Sequence, residues 1–189
     1  MKKVWKPGTL LAPVPPTMVS CGSMEKPNIL TVGWTGITCT DPAQTYISVR
    51  KERYSHGIIS ESGCFVINLP TVPLAKACDF CGVRSGRDID KFAHLGLTPK
   101  ESEITGCPAI EECPVSIECK VDRIIELGSH DMFMAHIVSV SVDEALIEES
   151  GRLALEKANL LAYAHGSYFP LGKSVGTFGF SVRKKKKRK

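Results

Sequence analysis

Residues 28–70 read NILTVGWTGITCTDPAQTYISVRKERYSHGIISESGCFVINLP, and the fold turns on them. Asn28–Trp34 is apolar and β-branched, a strand pattern with Gly33 where a neighbour can approach the backbone closely. A connection follows, Asp41-Pro42 signals a turn, and Thr45–Val49 is the next strand. The run Arg50-Lys51-Glu52-Arg53 leaves that strand just ahead of Tyr54-Ser55-His56. Ser55 is placed to N-cap a short helix over His56–Ser62, which Gly63 can close in a left-handed conformation. Cys64–Leu69 is a third, buried strand closed by Pro70. A strand end, two arginines, a lysine and a hydroxyl-capped helix start therefore converge in one short stretch. The free N–H groups and partial positive charge of a helix N-terminus suit a phosphate monoester.

Outward from this centre, Thr17–Met24 alternates loosely and pairs with Ile29–Trp34 as a hairpin across Lys26-Pro27. Leu74–Cys81 has helical spacing with no internal breaker, and the loop VRSGRDIDKF follows. Residues 92–97 form a short turn, and 101–112 an irregular connection with one or two short strands. Val115–Leu127 and Met132–Val142 alternate as two long strands joined at Glu126–Asp131, with Met132, Met134, His136, Val138, Val140 and Val142 on one side. Such a hairpin forms the back wall of a small barrel. Arg152–Ala164 reads as a short helix and Gly166–Gly179 as irregular chain. Many strands and few long helices give a mainly β fold, a closed antiparallel barrel with helical decorations.

The chain has 189 residues, 23% charged and 43% hydrophobic, which is ordinary globular composition and argues against disorder. The expectation is one domain over 1–182 followed by a basic disordered tail, RKKKKRK, at 183–189. The tail holds seven of the 24 basic side chains; the 17 that remain face 20 acidic ones, so the body is mildly acidic. A tail-driven nucleic-acid-binding module is one alternative, and the acidic body weakens it; no specific nucleic acid and no membrane partner are expected. No apolar run has the length of a membrane span, and the prolines at 7, 13, 15 and 16 leave no signal-peptide core, so the cytoplasm is the expected location. Eight cysteines in such a chain indicate reduced thiols. Cys78 and Cys81 form a CxxC in a helical pattern, open to three readings: small core residues, a redox dithiol, or part of a metal site. The second close pair of a structural zinc site is missing, no iron–sulfur ligand run is present, and no residue is assigned to a metal.

The chain resembles the flavin reductase-like, FMN-binding split-barrel family, the group that includes flavoredoxins and small archaeal ferric reductases. The matching features are Asn28 with Thr31-Val32-Gly33-Trp34, Asp41-Pro42, Ser48-Val49-Arg50, Ser55-His56, Glu61-Ser62-Gly63 and Val66–Pro70. Ser85-Gly86 ahead of Asp90-Lys91-Phe92 and Gly128-Ser129-His130 also fit, so that the likeness spans roughly residues 10–172. The resemblance implies a split β-barrel with Greek-key-like connections, bound FMN, and a homodimer with cofactor sites at or near the subunit interface.

By that resemblance Arg50 and Ser55 are phosphate ligands, with Ser85 and Lys91 assisting; the alternative is a solvated basic turn with Ser55 only a helix cap. A flavin needs an apolar slot and N–H donors at its pyrimidine edge. The strand backbones of Thr31, Val32, Gly33, Trp34, Ser48 and Val49 would supply these, although Val32, Trp34 and Val49 are equally good barrel core. The resemblance adds Asn28 to the cofactor-binding residues. Asn68, buried at a strand end, either fixes a neighbouring turn or bonds the ribityl chain. The resemblance puts His130, in the loop between the long strands, on the substrate or acceptor side, the alternative being an exposed and inert histidine. It also implies that His165 and Tyr168 belong to a segment that can approach the cofactor, the alternative being ordinary surface packing. The implied activity is electron transfer from NAD(P)H or a protein donor through FMN to flavin, ferric iron or a redox protein. With no GxGxxG fingerprint, NAD(P)H would dock transiently over the flavin. The alternative is a cysteine-based metal or thiol-redox binding protein without flavin.

Overall fold

In the computed structural model, which describes residues 1–183, eleven strands and three α-helices follow one another. The first hairpin is β1 (Thr17–Gly22) with β2 (Pro27–Val32), and the second is β3 (Thr35–Thr40) with β4 (Ala43–Arg50) across Asp41-Pro42. Helix α1 (Tyr54–Ser62) leads into β5 (Cys64–Asn68), and α2 (Ala75–Val83) and α3 (Lys91–Leu95) follow. A small hairpin of β6 (Pro99–Glu101) and β7 (Pro108–Ile110) precedes the long pair β8 (Val115–Glu126) and β9 (His130–Val142). A last hairpin joins β10 (Leu161–Ala164) to β11 (Ser167–Pro170). Seven strands form one antiparallel sheet in the order β2-β1-β5-β8-β9-β4-β3. Its two outermost strands, β2 and β3, are consecutive in the chain and separated only by Gly33-Trp34, so the sheet curls round on itself.

The interior of the curl follows strand alternation. Val19 and Cys21, Leu30 and Val32, Ile47 and Val49, Phe65 and Ile67, and Phe133 and Ala135 all point inward with Ile59 of α1. The other face of β1 and β2, carrying Met18 and Ile29, is covered by Cys78 and Cys81 of α2, Phe92 of α3 and Ile110 of β7. These two strands are thus buried on both faces, which is why their sequences read as continuous apolar runs.

Three expectations are corrected. The connection after Trp34 is strand β3; it lies at the sheet edge with Ile37 66% exposed, so no buried face marks it as a strand. Thr35 and Thr45 hydroxyls tie it down by donating to the carbonyls of Tyr46 and Gly36 at 2.6 and 2.9 Å. On β9, Met132, Met134 and His136 do share one face, the half-exposed one, and the core takes Phe133 and Ala135 from the other. Residues 152–164 hold only a short 3₁₀ turn, Leu155–Lys157, and then β10. The turn after β10 is His165-Gly166 with φ of 46° and 93°, the left-handed pair that a tight two-residue hairpin needs. Finally, α1 starts two residues early: its N-cap is Arg53, with no side-chain cap, and Ser55 lies within the first turn. Gly63 ends it with φ 66°, its N–H bonded to the Ile59 carbonyl.

Of the basic run at 183–189, residues 184–189 lie outside the described residues. No helix among the described residues is long and apolar enough to cross a membrane.

Candidate functional site

Two adjoining clefts open where β2, β4, α1 and α2 meet, and they share Leu30, Arg50 and Arg53. One, of about 450 Å³, is cationic: Arg50, Arg53, Arg84, Arg87 and Lys91 line it with a single acid, Glu52. The other, of about 330 Å³, is walled by the ends of β2 and β4, the C-terminal turn of α2, and the rings of Trp34, His130, Tyr163 and Tyr168.

The cationic end is built on the α1 N-terminus. The first N–H groups of a helix have no i−4 partner. Here no side chain caps them, and the His56 N–H turns back to the Arg53 carbonyl at 2.9 Å, leaving those of Tyr54 and Ser55. Asn28 Nδ2 donates to Ser55 Oγ at 2.7 Å, so the Ser55 hydroxyl keeps its own proton to donate into the cleft. Lys91 is 3% exposed, and its ammonium donates to the carbonyls of Ile29 at 2.6 Å and Cys81 at 3.0 Å. That leaves one N–H unused. Among the described residues no carboxylate lies within ion-pair distance of it, and burial pushes its pKa down. A buried cation held only by carbonyls is short of one negative charge. Arg87 sits over the Tyr54 ring at 5.5 Å and donates to the Glu52 carbonyl at 3.1 Å, closing the rim.

At the other end, Arg50 and His130 face each other across the β4–β9 register, and the His130 ring lies 4.5 Å from that of Trp34, tilted by 40°. Burial first, and then the Arg50 charge, push the His130 pKa down, which keeps the imidazole neutral at neutral pH. Ser129 Oγ lies 2.9 Å from its Nδ1. The side chains of Val32 and Val49 belong to the barrel core, and their backbones are taken up in the β1–β2 and β4–β9 ladders. The Ile29 carbonyl points to the open edge of β2, where Lys91 takes it; by antiparallel alternation the backbone groups of Thr31 share that edge. At Gly33 an added Cβ would meet only Val14, at an ordinary 3.6 Å, so no internal contact fills the space there.

Of the residues singled out from sequence, Thr31, Val32, Gly33, Trp34, Ser48, Val49, Arg50, His130 and Tyr168 line the ringed cleft. Ser55, Ser85 and Lys91 line the cationic one with Arg50, and Asn28 stands behind Ser55. Asn68 is a correction. It is fully buried away from both clefts, donating to Met18 O and Ser20 Oγ at 2.8 Å and accepting from Ile110 N at 3.1 Å and Ser116 Oγ at 2.8 Å. Its polar atoms are consumed in cross-linking β1, β5, β7 and β8. His165 opens instead onto a side pocket with Leu10, Leu11, Val14, Trp34 and Tyr163.

Cys78 and Cys81 are fully buried against Met18, Ile29 and Cys113, and burial pushes their thiols up to about 12 and about 11. They are core residues, and thiolate chemistry is suppressed there. Arg84, Arg87, Tyr54 and Tyr163 were not singled out from sequence. The arginines flank Ser85-Gly86 in plain view, whereas Tyr163 was hidden by the helical reading of β10.

Behind α1, the buried Asp131 binds His56 Nε2 at 2.8 Å and Lys51 Nζ at 3.3 Å. Burial pushes its carboxyl up, but His56 and Lys51 hold it below the ordinary carboxylate value. A depressed folded-state pKa contributes stability that is present above the unfolded value and lost as pH falls through the folded one. Asp131→Asn is therefore expected to melt a few degrees lower at neutral pH, the gap closing below about pH 4. Thermal melts of both proteins across that range check this; parallel curves would contradict it.

A family model described as "Flavin reductase like domain" matches residues 10–172. In structure the chain is similar to the flavoredoxin of Desulfovibrio vulgaris (Miyazaki F): TM-score 0.90, 32% identity, covering 97% of this chain and 100% of that one. It is also similar to the flavoredoxin of Methanosarcina acetivorans, with TM-score 0.86, 25% identity and coverage of 97% and 100%. A ferric-chelate reductase (NAD(P)H) of Archaeoglobus fulgidus is 26% identical over 137 residues, 72% of this chain and 73% of the reductase. The antiparallel barrel, the ringed and cationic clefts and a match across most of the length agree: the chain belongs to the flavin reductase-like domain family.

Proposed function

We propose that this protein is an FMN-dependent oxidoreductase that takes electrons from NAD(P)H or a protein donor and passes them to flavin, ferric iron or a redox protein. The observation that carries the FMN reading is Lys91, a buried ammonium with a free N–H and, among the described residues, no carboxylate at ion-pair distance, facing a cleft continuous with the ringed one. A terminal phosphate monoester on a planar ring system suits both ends at once, and it separates FMN from an uncharged flavin. FMN, when bound, supplies the hydride and electron chemistry.

The remaining work belongs to this chain's residues. Lys91, Ser55, Ser85 and the α1 N-terminus hold the phosphate, and Arg50 and Arg53 screen its charge. The open edge of β2, at Thr31 and Gly33, presents N–H donors to the pyrimidine edge. The Ser48 N–H is already given to the Trp34 carbonyl at 2.9 Å, so Ser48 can offer only its hydroxyl. Asn28 holds Ser55 in position. Trp34 and His130 give a ring-lined wall on which a nicotinamide or another planar acceptor can stack, and neutral His130 can accept a hydrogen bond without repelling Arg50. Tyr168 closes the far side. A homodimer is part of the proposal, supported by exposed apolar side chains near both ends of the described chain, such as Trp5, Leu11, Val175 and Phe178.

Anaerobic mixing of the FMN-loaded protein with NADH and, separately, NADPH tests the donor. Bleaching of the flavin band by either supports a reductase, and bleaching by neither, with FMN retained, leaves a protein donor as the source. Arg50 is half exposed and partly committed to Glu52 at 3.4 Å, so Arg50→Ala is expected to weaken FMN binding only about fivefold, or about 1 kcal/mol, without unfolding the barrel. Equal FMN affinity in the two proteins would remove Arg50 from the site.

A further inference from the structure

A second pair of reactive groups lies away from both clefts. Cys64 opens β5, and Cys107 ends the turn that leads into β7. Their Sγ atoms are 2.7 Å apart, so closing them to a bond of about 2.05 Å needs a shift of only roughly 0.7 Å. Cys64 is partly exposed, whereas Cys107 is 2% exposed and packs with Val66 and Ala109.

The approach is fixed by the framework on both sides. The turn carrying Cys107 is gripped by the buried carboxylate of Glu118, which accepts from the N–H groups of Glu103, Ile104 and Thr105 at 3.1, 2.9 and 3.0 Å. Gly106, at φ 67°, gives the turn its left-handed corner. On the other side Cys64 is held in register opposite Lys120 of β8, whose charge favours a thiolate. The hydrogen bond between the two sulfurs, with Ser62 and Lys120, pulls the thiol of the more exposed Cys64 below its ordinary value against the effect of burial, and the same contact pushes Cys107 up. The other cysteines lack these features. Cys21, Cys78, Cys81, Cys113 and Cys119 are buried with thiols pushed up to about 11 or 12, and Cys39 donates to the Asp41 carbonyl.

We propose that Cys64 and Cys107 form a thiol–disulfide exchange site, in which Cys64 attacks a low-molecular-weight disulfide and Cys107 resolves the product. In the first step the Cys64 thiolate attacks one sulfur of the reagent, forming a mixed disulfide and expelling one thiolate. Cys107 then loses its proton to solvent and attacks Cys64 Sγ; the Cys64–Cys107 bond forms and the second thiolate leaves. The two cysteines give up two electrons and two protons in all, and the reagent is reduced to two thiols. A dithiol reductant reverses both steps. The bond closes a loop of 43 residues that contains α2, α3 and the Ser85–Lys91 side of the cationic cleft, so oxidation stiffens that cleft's outer wall.

The test is peptide mapping under non-reducing conditions of the full chain equilibrated in buffers from fully reduced to fully oxidised glutathione. The expected result is one linked pair, Cys64 to Cys107, cleaved by dithiothreitol and absent from Cys64→Ser and Cys107→Ser. The melting temperature of the wild-type protein is expected to rise by several degrees on oxidation, and that of the variants to stay fixed. A folded wild-type protein with no 64–107 link at the oxidised end, or with Cys78–Cys81 linked in preference, overturns the proposal. The mapping needs neither bound flavin nor a variant, so its outcome is independent of the FMN reading.

Discussion

Lys91→Met is expected to weaken FMN binding by about 10- to 100-fold, the worth of a charge-assisted hydrogen bond of about 1.5–3 kcal/mol. The flavin-free variant is expected to keep its stability within about 1 kcal/mol, because two effects oppose each other. Removing the ammonium strands the carbonyls of Ile29 and Cys81, which it now satisfies at 2.6 and 3.0 Å. It also relieves the cost of burying a charge that has no carboxylate beside it. The burden therefore falls on the bound state. Fluorescence titration of FMN and urea unfolding without flavin read the two quantities separately. Unchanged FMN affinity would show that the ammonium does not face the phosphate, and a flavin-free protein that no longer folds would make Lys91 purely a strut between β2 and α2.

Gly86→Ala is expected to be damaging at the same site for a steric reason. A Cβ on Gly86 would lie 2.0 Å from Asn28 Oδ1 and 2.9 Å from Tyr54 Cδ1. Asn28 cannot step aside without releasing Ser55, which it holds at 2.7 Å, and Tyr54 is the first residue of α1. The overlap costs about 1–3 kcal/mol in repacking, or roughly 3–10 °C of melting temperature for a chain of this size. FMN affinity is expected to fall at least tenfold, because the Ser55 hydroxyl, the helix start and the Ser85 loop all move. Calorimetry and the same FMN titration check both effects. A variant indistinguishable from wild type in melting and in affinity would mean that the loop at 84–90 is free to shift and does not shape the cleft.

Much of this site was legible in the sequence because its parts are contiguous. The run from Val49 to His56 is a strand end, a basic turn and a helix start, and each is announced by local residues. What the sequence could not supply was the partner of each polar group. Ser55 reads as a helix cap, but its oxygen is claimed by Asn28, 27 residues away, and that frees its proton for a ligand. Asn68 and Lys91 show the same difficulty from opposite sides. Both are buried polar residues, and only tertiary contacts reveal that Asn68 is fully satisfied inside the sheet while Lys91 is not.

The fold was legible wherever one face of a strand is buried. The β1–β2, β4, β5 and β8–β9 segments alternate or run apolar, as their packing requires. Edge strand β3 and the β10–β11 hairpin escaped because they bury little, so their patterns carry no core-facing period. The contact between Cys64 and Cys107 joins residues 43 apart through the Glu118-held turn, and no spacing rule foretells it.

The most direct test of the central claim is the visible absorption spectrum of the protein after incubation with excess FMN and desalting. Retention of about one flavin per chain, at an affinity lowered at least tenfold by Lys91→Met, is the expected result. A colourless, folded protein that retains no FMN would contradict the assignment of the two clefts to a single phosphorylated flavin.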